Sequence, residues 1–413
     1  MAEQTDYLII GGGPAGTKAA ESIRQDDQSG RILIVTKEAY RLYDRTGLPT
    51  YVKGIKTREQ IFMRTEQQYT DQKIELWNNT EVVKFDPEKK IATLSDNRKV
   101  SFTKALISPG STPFKWNVLG AAKEGVARLN TLDDADHILQ LLPSTNQIVI
   151  IGGGFISLEF CGIAGAHKKK ATVLVREPYY WSNILDENSG KLIAKYLTQN
   201  GITVKTNEEV AEVLGADRVT GVKTKNGETV PAQMVGVGIG VKRNLDILHE
   251  TSMQVEKGIV TNEFLESSVQ NVWAAGDVAE FQDDVLGIRH MMGNWQNASD
   301  QGIYVGHVLA GRREPFQAVS TYSITTFNMN VSFIGDPKPA GADVIERGNK
   351  ENNFGRIFVK DGRILGATLI ARPTDKPALM ALIRQKTPVD ARLASVLADH
   401  TKPIPMNPQD SKV

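Results

Sequence analysis

Gly11, Gly13 and Gly16 are spaced as in a turn that carries a buried strand into a helix across a pair of phosphates. Gly11 permits the sharp turn, Gly13 has no Cβ to hold the backbone away from a pyrophosphate, and Gly16 lets the helix pack closely on the strand. Pro14 and Ala15 open that helix, whose free N–H groups and partial positive charge attract phosphate. A ribose next to the phosphates needs an acceptor just past the following strand. Thr36-Lys37-Glu38 offers the Glu38 carboxylate there, beside Lys37; an ordinary solvated pair is the plainer alternative.

The same grammar returns at Gly152 and Gly154, with Ser157 in the third position, small enough for helix–strand contact. Phe155 and Ile156 open the second helix. Past its following strand stand Arg176 and Glu177, with Lys168, Lys169 and Lys170 upstream. A carboxylate there grips the 2′-hydroxyl of NADH, whereas an arginine holds the 2′-phosphate of NADPH. The residues leave both open, and also leave open a basic helix end that is merely solvated.

These turns need strands and helices to hold them. Residues 7–10 and 31–35 read as buried strands around a helix over 15–24. Residues 147–151 and 171–175 read the same way around a helix over 155–166. The two βαβ units are too far apart for a solenoid repeat and suit two separate nucleotide-binding domains. Between them, residues 84–101 alternate in short strand-like runs, and the apolar 105–107 lead into the turn Ser108-Pro109-Gly110-Ser111. A further strand, 235–237, ends in Gly238-Ile239-Gly240, and Val272-Trp273-Ala274 leads into Ala275-Gly276-Asp277. A helix is expected over 297–310, closed by Gly311. Strands within 320–333 and 354–369, a helix over 376–385 and a surface tail with Pro403, Pro405 and Pro408 complete the reading.

Composition narrows the classes. Lys and Arg total 49 against 48 Asp and Glu, which argues against a nucleic-acid binder. The single cysteine, Cys161, excludes an internal disulfide framework, a cysteine-rich zinc site and a four-cysteine iron–sulfur cluster. It also excludes a redox-active cysteine pair; set among Phe160, Gly162 and Ile163, it reads as a small core residue. The six histidines are scattered without ligand spacing, so no metal site is expected, and His290 reads as structural. No apolar run is long enough to span a bilayer, and the first residues lack the pattern of a signal peptide, so a cytoplasmic protein is expected.

Taken in order, the two glycine turns, Ser108-Pro109-Gly110-Ser111 and Ala275-Gly276-Asp277 resemble the pyridine nucleotide–disulfide oxidoreductase superfamily of flavoproteins. The resemblance is firm to about Gly311 and looser beyond. It implies an α/β fold with two Rossmann-like dinucleotide-binding domains, one inserted in the other, plus a small α+β C-terminal domain. FAD would occupy a split domain of residues 1–113 and 245–320, NADH or NADPH the inserted 114–244, and residues 321–413 would form the third domain. It further implies that Asp277 holds the ribitol or pyrophosphate side of FAD, and that Glu159 stands near the nicotinamide entry. The stretch from Gly238 through Gly240 to Asn244 matches the family's second connecting turn, with Lys242-Arg243 where Arg-Pro is common. Trp295, Ala298, Gln301 and Gly302 match its Trp-x-x-Ala-x-x-Gln-Gly helix, whose N-terminus, around Trp295 and Gln296, points at the flavin pyrimidine. Trp295 either stacks by the ring or flanks the helix as a core aromatic.

The branch follows from Tyr43-Asp44-Arg45-Thr46-Gly47-Leu48-Pro49. Thr46 stands where single-cysteine members carry their thiol, and a hydroxyl accepts no electrons, so disulfide and coenzyme A–disulfide reduction are disfavoured. Tyr43, Arg45 and Leu48 match the Pro-Tyr-x-Arg-x-x-Leu-Ser signature of the ferredoxin, rubredoxin and putidaredoxin reductases, while Leu42 and Pro49 depart from it. In that group the arginine lies against FAD, which assigns Arg45 a cofactor contact; Thr50 replaces a frequent lysine, with Lys53 one turn on. The resemblance thus implies hydride transfer from NAD(P)H to FAD, with NADH favoured, and single-electron transfer to an electron-carrier protein or iron–sulfur subunit. No catalytic acid or base is assigned, because hydride transfer demands none. An alternative is a flavoprotein subunit of a larger complex, such as a ferredoxin-dependent 2-oxoacid oxidoreductase, recommended by Leu48 to Gly54 with Arg58, Ile61, Phe62 and Arg64. A homodimer and membership of a hetero-oligomer both stay open.

Overall fold

The computed structural model describes residues 2–406; the end of the expected tail, with Pro408, lies outside the described residues. The chain forms two compact units, each assembled from separate stretches. The first takes the chain to Asp44, then Glu59–Thr112 and Lys242–Ser320. The second takes Arg45–Arg58, Pro113–Val241 and the chain from Thr321 on.

The first unit is built on a parallel sheet in the order Ile74–Trp77, Ile32–Val35, Glu3–Ile10, Lys99–Ile107, with Val272–Ala274 beyond. Ile32–Val35 is buried at every position, as expected of a strand covered on both faces. On its edge away from Glu3–Ile10, Lys99–Ile107 has two partners. Its first half pairs antiparallel with Ile91–Leu94, and its second half pairs parallel with Val272–Ala274. The helices Pro14–Asp26 and Trp295–Leu309 pack against each other with almost no side chain between them. A Cβ on Gly302 would run into the Ala15 carbonyl oxygen, and one on Gly306 into that of Ala19. The second of these helices begins at Trp295 rather than at the expected 297, because Asn294 caps it: Asn294 Oδ1 accepts from the Asn297 N–H at 2.8 Å.

The second unit carries a parallel sheet in the order Ile202–Thr206, Lys170–Val175, Gln147–Ile151, Met234–Val237, Val126–Ala127. The helix Phe155–Ala166 has the expected bounds. A five-stranded antiparallel sheet follows, in the order Thr321–Thr326, Met329–Gly335, Arg363–Ile370, Asn353–Lys360, Asp343–Asn349. The helices Lys376–Arg384 and Ala391–Ala398 accompany it. Of these, the strand Asp343–Asn349 and the last helix have no counterpart in the sequence reading. The Arg45–Arg58 stretch joins this unit through the short helix Leu48–Val52. Tyr51 donates its hydroxyl hydrogen to Asp136 at 2.7 Å, and Arg58 pairs with the same carboxylate at 3.0 Å. No helix among the described residues is long and apolar enough to cross a membrane.

Candidate functional site

In the first unit the parallel strands end together. Ile10 is in register with Val35 and Ile107, and Ile107 with Ala274. The turns starting at Gly11, Thr36, Ser108 and Ala275 therefore leave the sheet at one carboxyl edge, where open parallel sheets bind ligands. Gly11 has φ +111°, and a Cβ there would strike the Ser108 carbonyl oxygen. A Cβ on Gly16 would likewise strike the Gly11 carbonyl oxygen. Gly13 is different: a Cβ there would meet no atom within 4 Å among the described residues. The helix behind it starts at Pro14 with no side-chain cap and no acidic residue in its first turn. Its first N–H groups, including those of Ala15 and Gly16, lack intrahelical partners.

The neighbouring turns are fixed around this opening. Asn244 Nδ2 donates to the Pro109 carbonyl at 2.9 Å and its backbone N–H to that of Gly110 at 3.0 Å, which pins the 108–110 turn. Asp277 Oδ2 accepts from Ser111 Oγ at 2.5 Å, and Arg243 Nε donates to the Asp277 carbonyl at 3.2 Å. The Gly276 N–H donates to Gln301 Oε1 at 2.8 Å. Gln301 is fully buried, and its Nε2 has no partner among the described residues; the same holds for Asn297 Oδ1. Glu38 accepts from the Tyr43 hydroxyl at 2.6 Å. Lys37 is exposed and paired with Glu81 at 3.0 Å, a surface contact of little energetic weight. Trp295 is half-buried, while Gln296 is exposed and donates along its own helix to Asp300 at 2.8 Å. His290 pairs with the buried Asp283 at 2.9 Å and packs on Phe281, a structural role.

The second unit repeats the arrangement. Ile151 is in register with Leu174 and Val237, so the turns at Gly152, Arg176 and Gly238 leave the sheet together. Gly152 has φ +106°, and a Cβ there would strike the Gly238 carbonyl oxygen. The helix starting at Phe155 and Ile156 has no side-chain cap at Gly154 and no acid in its first turn. Ser157, in the third glycine's place, is fully buried; its hydroxyl bonds the Gly154 carbonyl at 3.1 Å and the Tyr180 hydroxyl. Gly240, at φ +96°, accepts the Phe114 N–H at 3.1 Å. Arg176 and Glu177 are not rivals in space but partners, Nε to Oε1 at 2.6 Å, and the carboxylate pushes the guanidinium pKa further up.

Glu159 forms an ion pair with Lys53 at 3.1 Å, both side chains largely buried. Burial raises the Glu159 carboxyl pKa, and Lys53 opposes that shift. Arg45 lies in this unit and donates to the Asn130 carbonyl.

A model of the family described as pyridine nucleotide-disulphide oxidoreductase matches residues 5–302. The chain belongs to this family. Rhodocoxin reductase of Rhodococcus erythropolis is 28% identical over 395 residues, covering 94% of this chain and 91% of the relative. Among solved structures, the ferredoxin reductase for the CYP199A2 system from Rhodopseudomonas palustris superposes with a TM-score of 0.87 at 27% identity, covering 94% of this chain and 97% of that one. The covalent putidaredoxin reductase–putidaredoxin complex gives a TM-score of 0.90 at 25% identity, covering 97% of each chain.

This family member has no thiol to lend to a disulphide reaction. Cys161 is fully buried, and burial pushes its thiol far above the usual range. Cys161→Ser should leave nicotinamide oxidation and acceptor reduction within about twofold, its cost falling on stability, about 1–3 kcal/mol for burying a hydroxyl. Steady-state turnover with a one-electron acceptor, before and after the substitution, checks this; loss of turnover in a folded variant contradicts it.

The residues of the first unit fit a flavin dinucleotide. Among the described residues, Gly13 opens onto free space at an uncapped helix start, and two buried polar atoms, Gln301 Nε2 and Asn297 Oδ1, lack partners. The site residues that sequence reasoning passed over have recognisable signals. Gln301 belongs to the Trp-x-x-Ala-x-x-Gln-Gly helix motif, and Asn244 to the connecting turn after Gly240. Ser111, as the partner of Asp277, had none beyond its place in the 108–111 turn.

Proposed function

We propose that the chain is an FAD-dependent NAD(P)H oxidoreductase that passes electrons to a small protein carrier of the ferredoxin or rubredoxin type. The observation that carries this reading is the convergence of four turns of the first unit on one sheet edge, around a glycine with free space above it. Bound FAD supplies the chemistry, accepting a hydride from the nicotinamide and releasing electrons one at a time. The chain supplies binding and electrostatics. In this reading the amides at Gly13, Ala15 and Gly16 hold the pyrophosphate, with Pro14 shaping the helix start. Glu38 takes the adenosine ribose, Asp277 the ribitol side, and Gln301 Nε2 and Asn297 Oδ1 the remaining polar edges. The N-terminus of the helix from Trp295 and Gln296 favours negative charge on the flavin. Lys53–Glu159 supplies a charge pair near the nicotinamide entry.

We propose the domain division expected from the sequence, FAD on 1–113 and 245–320, nicotinamide dinucleotide on 114–244 and a third domain over 321–413, although Arg45–Arg58 groups with the second unit by contact. Gly152, Gly154, Phe155, Ile156 and Gly240 line the nicotinamide dinucleotide. A cytoplasmic location suits a chain with one buried cysteine and a need for reduced nicotinamide. The relatives reported are reductases of carrier proteins by name, and nothing among them favours the 2-oxoacid complex. Reducing the protein with NADH and mixing it with an oxidised ferredoxin tests the carrier: reduced ferredoxin supports the reading, and an inert ferredoxin and rubredoxin contradict it.

Nicotinamide preference follows from the Arg176–Glu177 pair. Glu177 neutralises Arg176 and repels a 2′-phosphate, which favours NADH. Glu177→Ala is expected to raise the KM for NADH about tenfold, the worth of one hydrogen bond to a charged group, and to lower that for NADPH by freeing Arg176. Initial rates with both nucleotides check it. Equal changes, or a wild-type preference for NADPH, contradict it.

A further inference from the structure

The loop after the strand Lys170–Val175 places an indole over the second glycine turn. Trp181 is 6% exposed and adopts φ +62°, a left-handed backbone that non-glycine residues rarely hold without a reason. Its ring is clamped edge-on by Phe155 at 4.4 Å and Phe333 at 5.0 Å between centroids. Its backbone nitrogen lies 3.3 Å from where a Cβ of Gly153 would stand. For Gly154, the glycine whose missing side chain admits a pyrophosphate, the one atom within 4 Å of an added Cβ is Trp181 Nε1, at 3.9 Å. Among the described residues that N–H makes no hydrogen bond. The nitrogen is not among the sealed polar atoms, so it is open to solvent and to a ligand. The corresponding glycine of the first unit, Gly13, has no such neighbour.

We propose that Trp181 is a binding residue for the nicotinamide dinucleotide, its indole N–H donating to the pyrophosphate held at Gly154. The strained backbone and the Phe155–Phe333 clamp fix the donor in advance, so little ordering is left for binding to do. The inference rests on the reading of the second unit as the nicotinamide dinucleotide site. It adds a side-chain donor where the glycine turn supplies only backbone amides.

Trp181→Phe keeps an aromatic ring between Phe155 and Phe333 and removes the N–H together with part of the indole's volume, so a second assay is needed to separate the lost donor from lost packing. With flavin-loaded protein, calorimetry should show ADP-ribose bound about ten- to a hundredfold more weakly by the variant, the range for a hydrogen bond to a charged group. Flavin reduction by reduced nicotinamide mononucleotide, which lacks the pyrophosphate, should be unchanged. Equal affinity of both proteins for ADP-ribose overturns the inference. So does an equal loss in both assays, which marks a merely structural role. If the wild type binds no ADP-ribose, the reading of the site itself fails first. A measurement on the wild type needs no variant: the Trp181 indole N–H resonance of nitrogen-15-labelled protein should move downfield on adding ADP-ribose, and an unmoved resonance contradicts the assignment.

Discussion

Gly13→Val should yield a folded, colourless protein. A side chain at Gly13 meets nothing of the protein within 4 Å among the described residues, so it costs the fold little. Changing glycine at a helix N-cap costs no more than about 1 kcal/mol. What it obstructs is the approach of a pyrophosphate to the backbone. Gly11→Val is the control with the opposite signature. There a Cβ collides with the Ser108 carbonyl at φ +111°, so the fold itself suffers, by about 1–3 kcal/mol from the backbone strain alone and more from the collision. Thermal melting together with flavin content separates the two. Gly13→Val should melt like the wild type with flavin occupancy near zero. A fully yellow Gly13→Val contradicts the placement of FAD.

The second large effect is on stability. Arg347 is 1% exposed, and its guanidinium ties the end of the chain to the antiparallel sheet of the second unit. Nε donates to Asp375 at 3.0 Å, Nη1 to the Val396, Leu397 and Asp399 carbonyls at 3.0, 3.1 and 2.6 Å, and Nη2 to the Lys402 carbonyl at 2.5 Å. Arg347→Ala strands these carbonyl acceptors and removes one of two guanidinium partners of Asp375, which keeps Arg372 at 2.6 Å. A buried acceptor left unsatisfied costs about 1–3 kcal/mol, so the several lost here sum to about 3–5 kcal/mol. Denaturant unfolding of the second unit should shift by that amount, and Arg347→Lys should recover only part of it, because an ammonium cannot span the same fork of acceptors. A shift below about 1 kcal/mol contradicts this role, being the size of a surface ion pair.

The same arginine shows where sequence reading stops. The strand Asp343–Asn349 buries only Arg347 fully, so no alternation of apolar residues announces it. The helix Ala391–Ala398 buries only Leu393 and Leu397, a stripe too short for its period to stand out. By contrast, the helix Phe155–Ala166 was legible to the residue, because a glycine turn starts it and an apolar run fills it. The sheet-edge turns were legible for the same reason: their glycines and prolines answer local backbone demands. What joins them is not local. Asn244 on Pro109, Gln301 on Gly276 and Lys53 on Glu159 link residues far apart in sequence through side chains of ordinary type. Trp181 was equally hidden. Its left-handed backbone and its place over Gly154 come from packing against Phe155 and Phe333, which no spacing in the loop encodes.

Anaerobic titration of the purified protein, with the visible flavin spectrum recorded after each addition of NADH or NADPH, tests the central claim most directly. The protein should be yellow, and its flavin band should bleach fully at about one equivalent of NADH, the two electrons of a single hydride, with NADPH much less effective. A protein that takes up no FAD, or whose flavin neither nucleotide bleaches, would contradict it.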